Sequence, residues 1–382
     1  MNKSNGENRA RWMLLNAVIL LIAVIAAYVL KTKPELIFYL PNGYITWARM
    51  GGNMPPYFDQ TPYELEEFKT WARDGDLIVT PACKSGTTWM LYCAHQIRVK
   101  GQDSDYREVN VNTPWVGYKH KPGQTWKELK GLMNTTILED GSLLKDFWDH
   151  PDYPFRVFKS HFGPRQENGT SDDVLPVKEF PGVKYLAMVR EGRDVVASFF
   201  PFFAKHRPEY KKIWGGFPPS YETKEQALKD LLPGGILYYL YFGYAKSWWR
   251  FRNEPNVLLM HYNDMRKDLR GGVKKIAKFV NVELNEKELD RVTEKCGFDH
   301  MKKIQDKFNY LLWGNENFKT QVMCGSHYCK GDQEGSVIQK GKVGSGKSFF
   351  TPEMERMWQD AIESEFSDPN LRRWAEHGGR FD

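Results

Sequence analysis

The amino-acid sequence predicts a three-layer αβα fold around a mostly parallel sheet, on three observations. The chain has 382 residues, 41% hydrophobic and 14% aromatic, enough to bury one large α/β core or two small ones. Short apolar, β-branched runs bounded by turn residues alternate with helical stretches, the pattern of parallel strands joined by helical crossovers. No internal repeat or low-complexity tract interrupts the alternation.

In chain order, residues 1–12 form an N-terminal tail. Residues 13–30 are apolar throughout except for Asn16, and Arg9, Arg11, Lys31 and Lys33 flank them. Eighteen residues at 1.5 Å each reach roughly 27 Å, just the depth of a bilayer core. A cleaved signal peptide or a buried helix would be the alternatives. No small-x-small cleavage site follows the run, however, and it is long for a signal segment. A single-pass membrane anchor is the expectation. Basic residues on both flanks leave its orientation, cytosolic or lumenal, open. The sequons at Asn2, Asn134 and Asn168 are no more than chance supplies.

Residues 31–54 read as a connector and 55–382 as the main folded domain, with a Pro-, Gly- and Tyr-rich flap reaching to residue 70. Strands are expected at 76–80, 154–162, 183–190 and 256–262. Helices are expected from Thr88 and over 193–206 and 270–281. The loop-rich stretches 100–150 and 305–345 suit lids around a pocket. Ligands of such sheets bind at the carboxyl ends of the strands, so chemistry is to be sought there.

The net charge of +6 is dispersed among acids, with no basic block. It suits a small anionic ligand, and no nucleic-acid partner is expected. Five cysteines give no disulfide framework. Cys324, His327 and Cys329 offer three ligands at unusual spacing for zinc, so this reads as a plain loop and no metal site is expected.

Two segments resemble phosphate loops. "GKVGSGKS" (341–348) fits G-x-x-x-x-G-K-[ST], with Lys347 and Ser348 in the positions that meet phosphate and Mg²⁺. Only Val337-Ile338 precede it as an apolar run, and the next helix start is Thr351-Pro352-Glu353, a Thr cap with Pro in the first turn. Too little chain follows to complete a nucleotide-triphosphatase fold. The second segment, "DLIVTPACKSGTTWM" (76–90), runs strand, turn, helix. Lys84, Ser85, Gly86, Thr87 and Thr88 there gather a cation, a permissive glycine and hydroxyls at a helix N-terminus, which makes an anion cradle.

"PACKSGTTW" is similar to the 5′-phosphosulfate loop of the cytosolic-type sulfotransferases. "VREGRDVVASFF" resembles that family's 3′-phosphate motif, with Arg190 and Ser198 eight residues apart. "FRVFKSHF" resembles its Lys-x-His segment, "PNVLLMHYNDM" the strand ending in a nucleotide-contacting Tyr, and "CGFDHM" the segment whose Phe packs on adenine. "QKGKVGSGKSFFT" stands where the family has Arg-Lys-Gly-x-x-Gly and Trp-Lys. The similarity runs in order over about residues 55–375.

The resemblance implies the P-loop-NTPase-like sulfotransferase fold. It also implies transfer of a sulfuryl group from 3′-phosphoadenosine 5′-phosphosulfate (PAPS) to a hydroxyl, or an amine, without a metal. On that basis His161 is the catalytic base, Lys84 stabilises the leaving oxygen and Lys159 neutralises the sulfuryl oxygens. Lys84, Ser85, Gly86, Thr87 and Thr88 hold the 5′-phosphate. Arg190, Ser198, Gln339, Lys340 and Gly341 surround the 3′-phosphate. Trp89 and Phe298 sandwich adenine, with Tyr262 at its edge.

There are departures. Gln339 replaces an Arg and would lose about 1.5–3 kcal/mol of charged hydrogen bonding, so a nucleotide-binding protein with impaired turnover is the alternative function. Gly346 replaces the Trp, and Pro352 and Arg356 fall in the family's dimerisation segment, leaving a homodimer uncertain. Aromatic side chains at Phe199–Phe203, Trp115, Trp148, 214–219 and parts of 305–330 suggest a flat apolar alcohol, sterol or phenol as acceptor.

Overall fold

The computed structural model describes residues 3–102, 106–309, 337–338 and 341–380, with side chains from Trp12 onward. Gln339, Lys340 and the Cys324–Cys329 loop lie outside the described residues.

Among the described residues, six strands follow one another as β1 (Leu77–Val79), β2 (Val157–Lys159), β3 (Gly163–Pro164), β4 (Asp173–Leu175), β5 (Lys184–Val189) and β6 (Val257–His261). Four form one sheet in the order β2-β1-β5-β6, and β3 pairs with β4 beside it. Every pairing in the main sheet is parallel, with Val79 opposite both Lys159 and Leu186, and Val189 opposite His261. The strands are buried almost throughout, as strands covered on both faces must be. The four predicted strands all form, shorter than their apolar runs.

The chain steps leftward from β1 to β2 and rightward from β5 to β6. Right-handed crossovers running in opposite directions put their helices on opposite faces. The reversal opens a crevice between the carboxyl ends of β1 and β5, where this class of sheet takes its ligand.

Among the helices are α1 (Lys3–Thr32), α2 (Thr87–Arg98), α3 (Gly192–Ala204), α4 (Leu269–Phe279), α5 (Phe298–Lys303), α6 (Ser345–Phe349) and α7 (Pro352–Glu365), of which α2, α3, α5 and α6 line the cavity. Helix α7 starts as its sequence predicts: Thr351 Oγ1 accepts the Met354 amide at 3.2 Å and Pro352 occupies the first turn. Helix α6 corrects the expectation that no helix begins inside "GKVGSGKS". It opens at Gly344, whose φ of 86° gives the left-handed turn. No strand occurs among the described residues from Val337 to Gly344.

At the amino ends of β1 and β2 a buried ion pair fixes the strands. Arg156 Nε donates to Asp76 Oδ1 at 2.8 Å and the Arg73 amide to Asp76 Oδ2 at 2.8 Å. In α1, Trp12–Thr32 has a mean hydropathy of 2.7 over its most apolar window, none of it buried, and is long and apolar enough to cross a membrane.

Candidate active site

At the carboxyl end of β1 the chain runs Thr80 to Gly86 before entering α2. The loop is held down from three sides. Ala82 N donates to Met188 O at 2.9 Å, Thr80 Oγ1 to Phe162 O at 2.9 Å, and Tyr244 OH to Thr80 O. Lys84 sits at a φ of 60° and Gly86 at 97°. The first is unfavourable for a side-chain-bearing residue, a strain of the kind that collects at functional turns. Gly86 is needed twice over, because a Cβ there would also fall 3.1 Å from the Tyr262 ring.

The next strand end supplies Lys159 and His161. His161 Nδ1–H donates to the Pro81 carbonyl at 2.8 Å, so Nε2 carries the lone pair. Its ring stacks on Phe58 at 5.9 Å and meets Trp115 edge-on at 5.2 Å. Lys159 Nζ lies 3.3 Å from the centroid of the Trp115 ring, and Lys84 Nζ 3.7 Å from that of Phe202. Burial draws Lys84 down to about 7, with Cys83 opposing and Arg190 adding to the shift. Burial also lowers Lys159, and it lowers His161 with help from the Lys159 charge. The imidazole is therefore neutral at neutral pH, and a bound anion would restore charge to the lysines.

Arg190 follows β5 directly. Its Nη2 donates to Lys342 O at 2.9 Å and Asp194 Oδ2 at 3.2 Å, and its Nη1 to Lys84 O at 3.4 Å. Its guanidinium stands 4.5 Å over the Tyr262 ring. Trp89 Nε1 donates to Cys296 O at 2.8 Å, placing the indole beside the start of α5, and Tyr262 meets it edge-on at 5.3 Å. Gly341, at a φ of 56°, lies against Phe298 so closely that a Cβ would fall 2.5 Å from that ring.

These residues share one cavity of about 810 Å³. Lys84, Gly86, Thr87, Thr88 and Trp89 line it, with Lys159, His161, Arg190, Ser198, Tyr262, Phe298 and Gly341. Ser85 sits beneath the loop, fully buried. Thr87 Oγ1, Ser85 Oγ and Arg190 Nε have no hydrogen-bond partner among the described residues. Three buried polar atoms left unsatisfied beside a helix N-terminus fit an anionic group there.

Asp194 escaped the sequence reading. It is fully buried and accepts Gly344 N at 2.9 Å, Gly346 N at 2.7 Å and Ser345 Oγ at 3.2 Å. Two amides of "GKVGSGKS", those of Gly344 and Gly346, are thus taken by a carboxylate. Lys347 is exposed. Gly346 packs on α3, where a Cβ would fall 2.4 Å from the Arg193 carbonyl carbon, so no Trp fits there. The four-residue step from Arg190 to Asp194 was the available signal.

The acceptor expectation is corrected in part. Phe199 to Phe203 and Trp115 line the cavity, as do Gln305, Asp306 and Asn309. Trp148 instead packs on Phe158, and Trp214 on Tyr57 behind the wall. Tyr57, Phe58, Tyr118, His206 and Tyr210 were not foreseen as lining.

A switch-point cavity lined by Lys84, Lys159 and His161 suits an anionic ligand. The Sulfotransferase domain family matches residues 74–370, and the chain belongs to that family. It is similar to the amine sulfotransferase of Oryctolagus cuniculus, 27% identical over 312 residues, 81% of this chain and 86% of that one. It is also similar to the 3-beta-hydroxysteroid sulfotransferase of Cavia porcellus, 25% identical, with 81% and 90% covered. Among solved structures, mouse sulfotransferase SULT7A1 complexed with PAP matches with a TM-score of 0.52 at 21% identity, over 81% of this chain and 90% of that chain. Retinol dehydratase with androsterone and inactive cofactor PAP also gives 0.52, at 20% identity over 81% and 86%. These structural likenesses establish the fold.

Proposed function

We propose that the protein moves the sulfuryl group of PAPS to the hydroxyl of an apolar alcohol, sterol or phenol, while anchored in a membrane by α1. The observation that carries this reading is the convergence of Lys84, Lys159 and the His161 imidazole on one cavity beside an unsatisfied anion cradle. PAPS supplies an already activated sulfuryl group, so the protein's task is positioning and charge stabilisation. His161 Nε2 accepts the acceptor's proton while Nδ1, bonded to Pro81, keeps the ring in place. Lys84 and Lys159 offset the negative charge that gathers on leaving and peripheral oxygens. The amides at the start of α2, with Thr87 and Thr88, hold the 5′-phosphate. Arg190 and Ser198 hold the 3′-phosphate, and Trp89, Phe298 and Tyr262 enclose the base.

The aromatic wall supports a flat apolar acceptor, and among similar proteins one is named for hydroxysteroids. Labelled sulfate should pass from PAPS to members of a sterol and phenol panel, with Lys84→Ala at least about 100-fold slower. Full activity in that variant would remove Lys84 from its role. Nucleotide binding without transfer to any acceptor would favour the impaired-turnover reading.

A further inference from the structure

Outside α1, the exposed large apolar side chains among the described residues are Leu36, Tyr39, Leu40, Met50, Ile137 and Val343. Four of these six lie between residues 36 and 50, directly after the apolar helix ends at Thr32. Tyr39 is 79% exposed, Met50 58% and Leu40 51%, values a solvated surface gives its large apolar residues only singly. Lys31, Lys33 and Arg49 are exposed around them, with Glu35 the one acid from 31 to 50.

The other side of this segment is fixed to the domain. Two short helices, Pro34–Tyr39 and Gly43–Arg49, fold back on each other so tightly that a Cβ on Gly43 would fall 2.0 Å from the Ile37 carbonyl oxygen. Ile37, Phe38 and Tyr44 are buried, and Phe38 meets Trp214 edge-on at 5.6 Å. Trp214 meets Tyr57 at 5.8 Å, and Tyr57 lines the cavity. The segment is a plate whose buried side packs on Trp214 behind the cavity and whose other side exposes Leu36, Tyr39, Leu40 and Met50. Leu36 follows Thr32 by four residues, at most about 14 Å of chain. An α1 that crosses a bilayer therefore holds the plate at the headgroup layer.

We infer that this face rests on the bilayer surface, with Tyr39, Leu40 and Met50 seated at the headgroup–acyl boundary, and that the cavity takes its acceptor from the lipid phase. The inference builds on the anchor and sulfotransferase readings. Aromatic and aliphatic side chains rimmed by cations match that boundary. The plate would then bring the aromatic wall, two rings behind it, close to the bilayer that dissolves such an alcohol.

The test uses the full chain in phosphatidylcholine vesicles containing phosphatidylserine and a sterol. With p-benzoylphenylalanine in place of Tyr39, Leu40 or Val343, illumination should give lipid adducts at the first two and about tenfold fewer at the third. Tyr39→Asp with Leu40→Asp should raise the KM for the vesicle-dissolved sterol about tenfold and leave kinetics on a water-soluble phenol unchanged. Equal adducts at Tyr39 and Val343, or chain-to-chain crosslinks predominating at Tyr39, would overturn the docking face. So would failure of the wild-type chain to sediment with the vesicles, which would also overturn the anchor. Lipid adducts at Tyr39 without transfer to either acceptor would support the docking face and overturn the sulfotransferase reading instead.

Discussion

At the residue scale, His161 and Lys84 show opposite consequences of the same burial. A neutral imidazole with a fixed tautomer is ready to accept a proton, whereas a buried ammonium is held only at a cost. Because Lys84 is drawn down from 10.5 to about 7, the unfolded chain binds more protons than the folded one between those values. Its contribution to ligand-free stability therefore rises with pH across that window and falls as pH drops through it. Lys84→Met should raise the ligand-free unfolding free energy by about 1 kcal/mol at pH 7, seen as a higher melting temperature, while abolishing transfer. Binding of adenosine 3′,5′-bisphosphate has the reverse sign. Above pH 7 the free protein must take up a proton at Lys84, so the Kd should rise by up to about tenfold per pH unit. Titration calorimetry in buffers of different ionisation heat would register that uptake, and Lys84→Met should remove it.

At the element scale, two buried carboxylates set the frame. Asp76 with Arg156 fixes β2 against β1, and hence the spacing of Lys159 and His161 from the loop at Lys84. Arg156→Met would leave Asp76 buried and unpaired and should cost about 3–5 kcal/mol in denaturant unfolding. Asp194 gathers Arg190 and the start of α6. Asp194→Asn puts an amide Nδ2 where a carboxylate oxygen accepts two donors, so it should loosen Arg190 and the start of α6 and lower nucleotide affinity about tenfold. The same elements show what the sequence made legible. Strands β1, β2, β5 and β6 and helices α2, α3, α4 and α7 follow from local pattern, because apolar runs and caps are local signals. Helix α6 does not: its five residues are stabilised by a carboxylate 150 positions away. The Asp194 contacts and the placing of Trp148 and Trp214 behind the wall are likewise long-range packing outcomes that no local window carries.

At the scale of the whole molecule, a parallel sheet opens a crevice at the β1–β5 switch point, which is the proposed donor side. The plate formed by residues 34–49 packs behind the aromatic wall of the cavity through Trp214 and Tyr57, and an apolar helix precedes it. Lys84, His161, Arg190 and Tyr262 were readable because each stands just after a strand, where such sheets take their ligands. The aromatic wall was only half readable, since its members Tyr57, Phe58, Tyr118 and Tyr210 come from segments with no strand or motif of their own. The measurement closest to the central claim compares wild type with His161→Ala for both nucleotide binding and sulfate transfer. The account predicts that the variant keeps the wild-type Kd for adenosine 3′,5′-bisphosphate within about twofold and loses about 10²- to 10⁴-fold in kcat. A wild type that binds no nucleotide, or a His161→Ala variant with undiminished turnover, would contradict it.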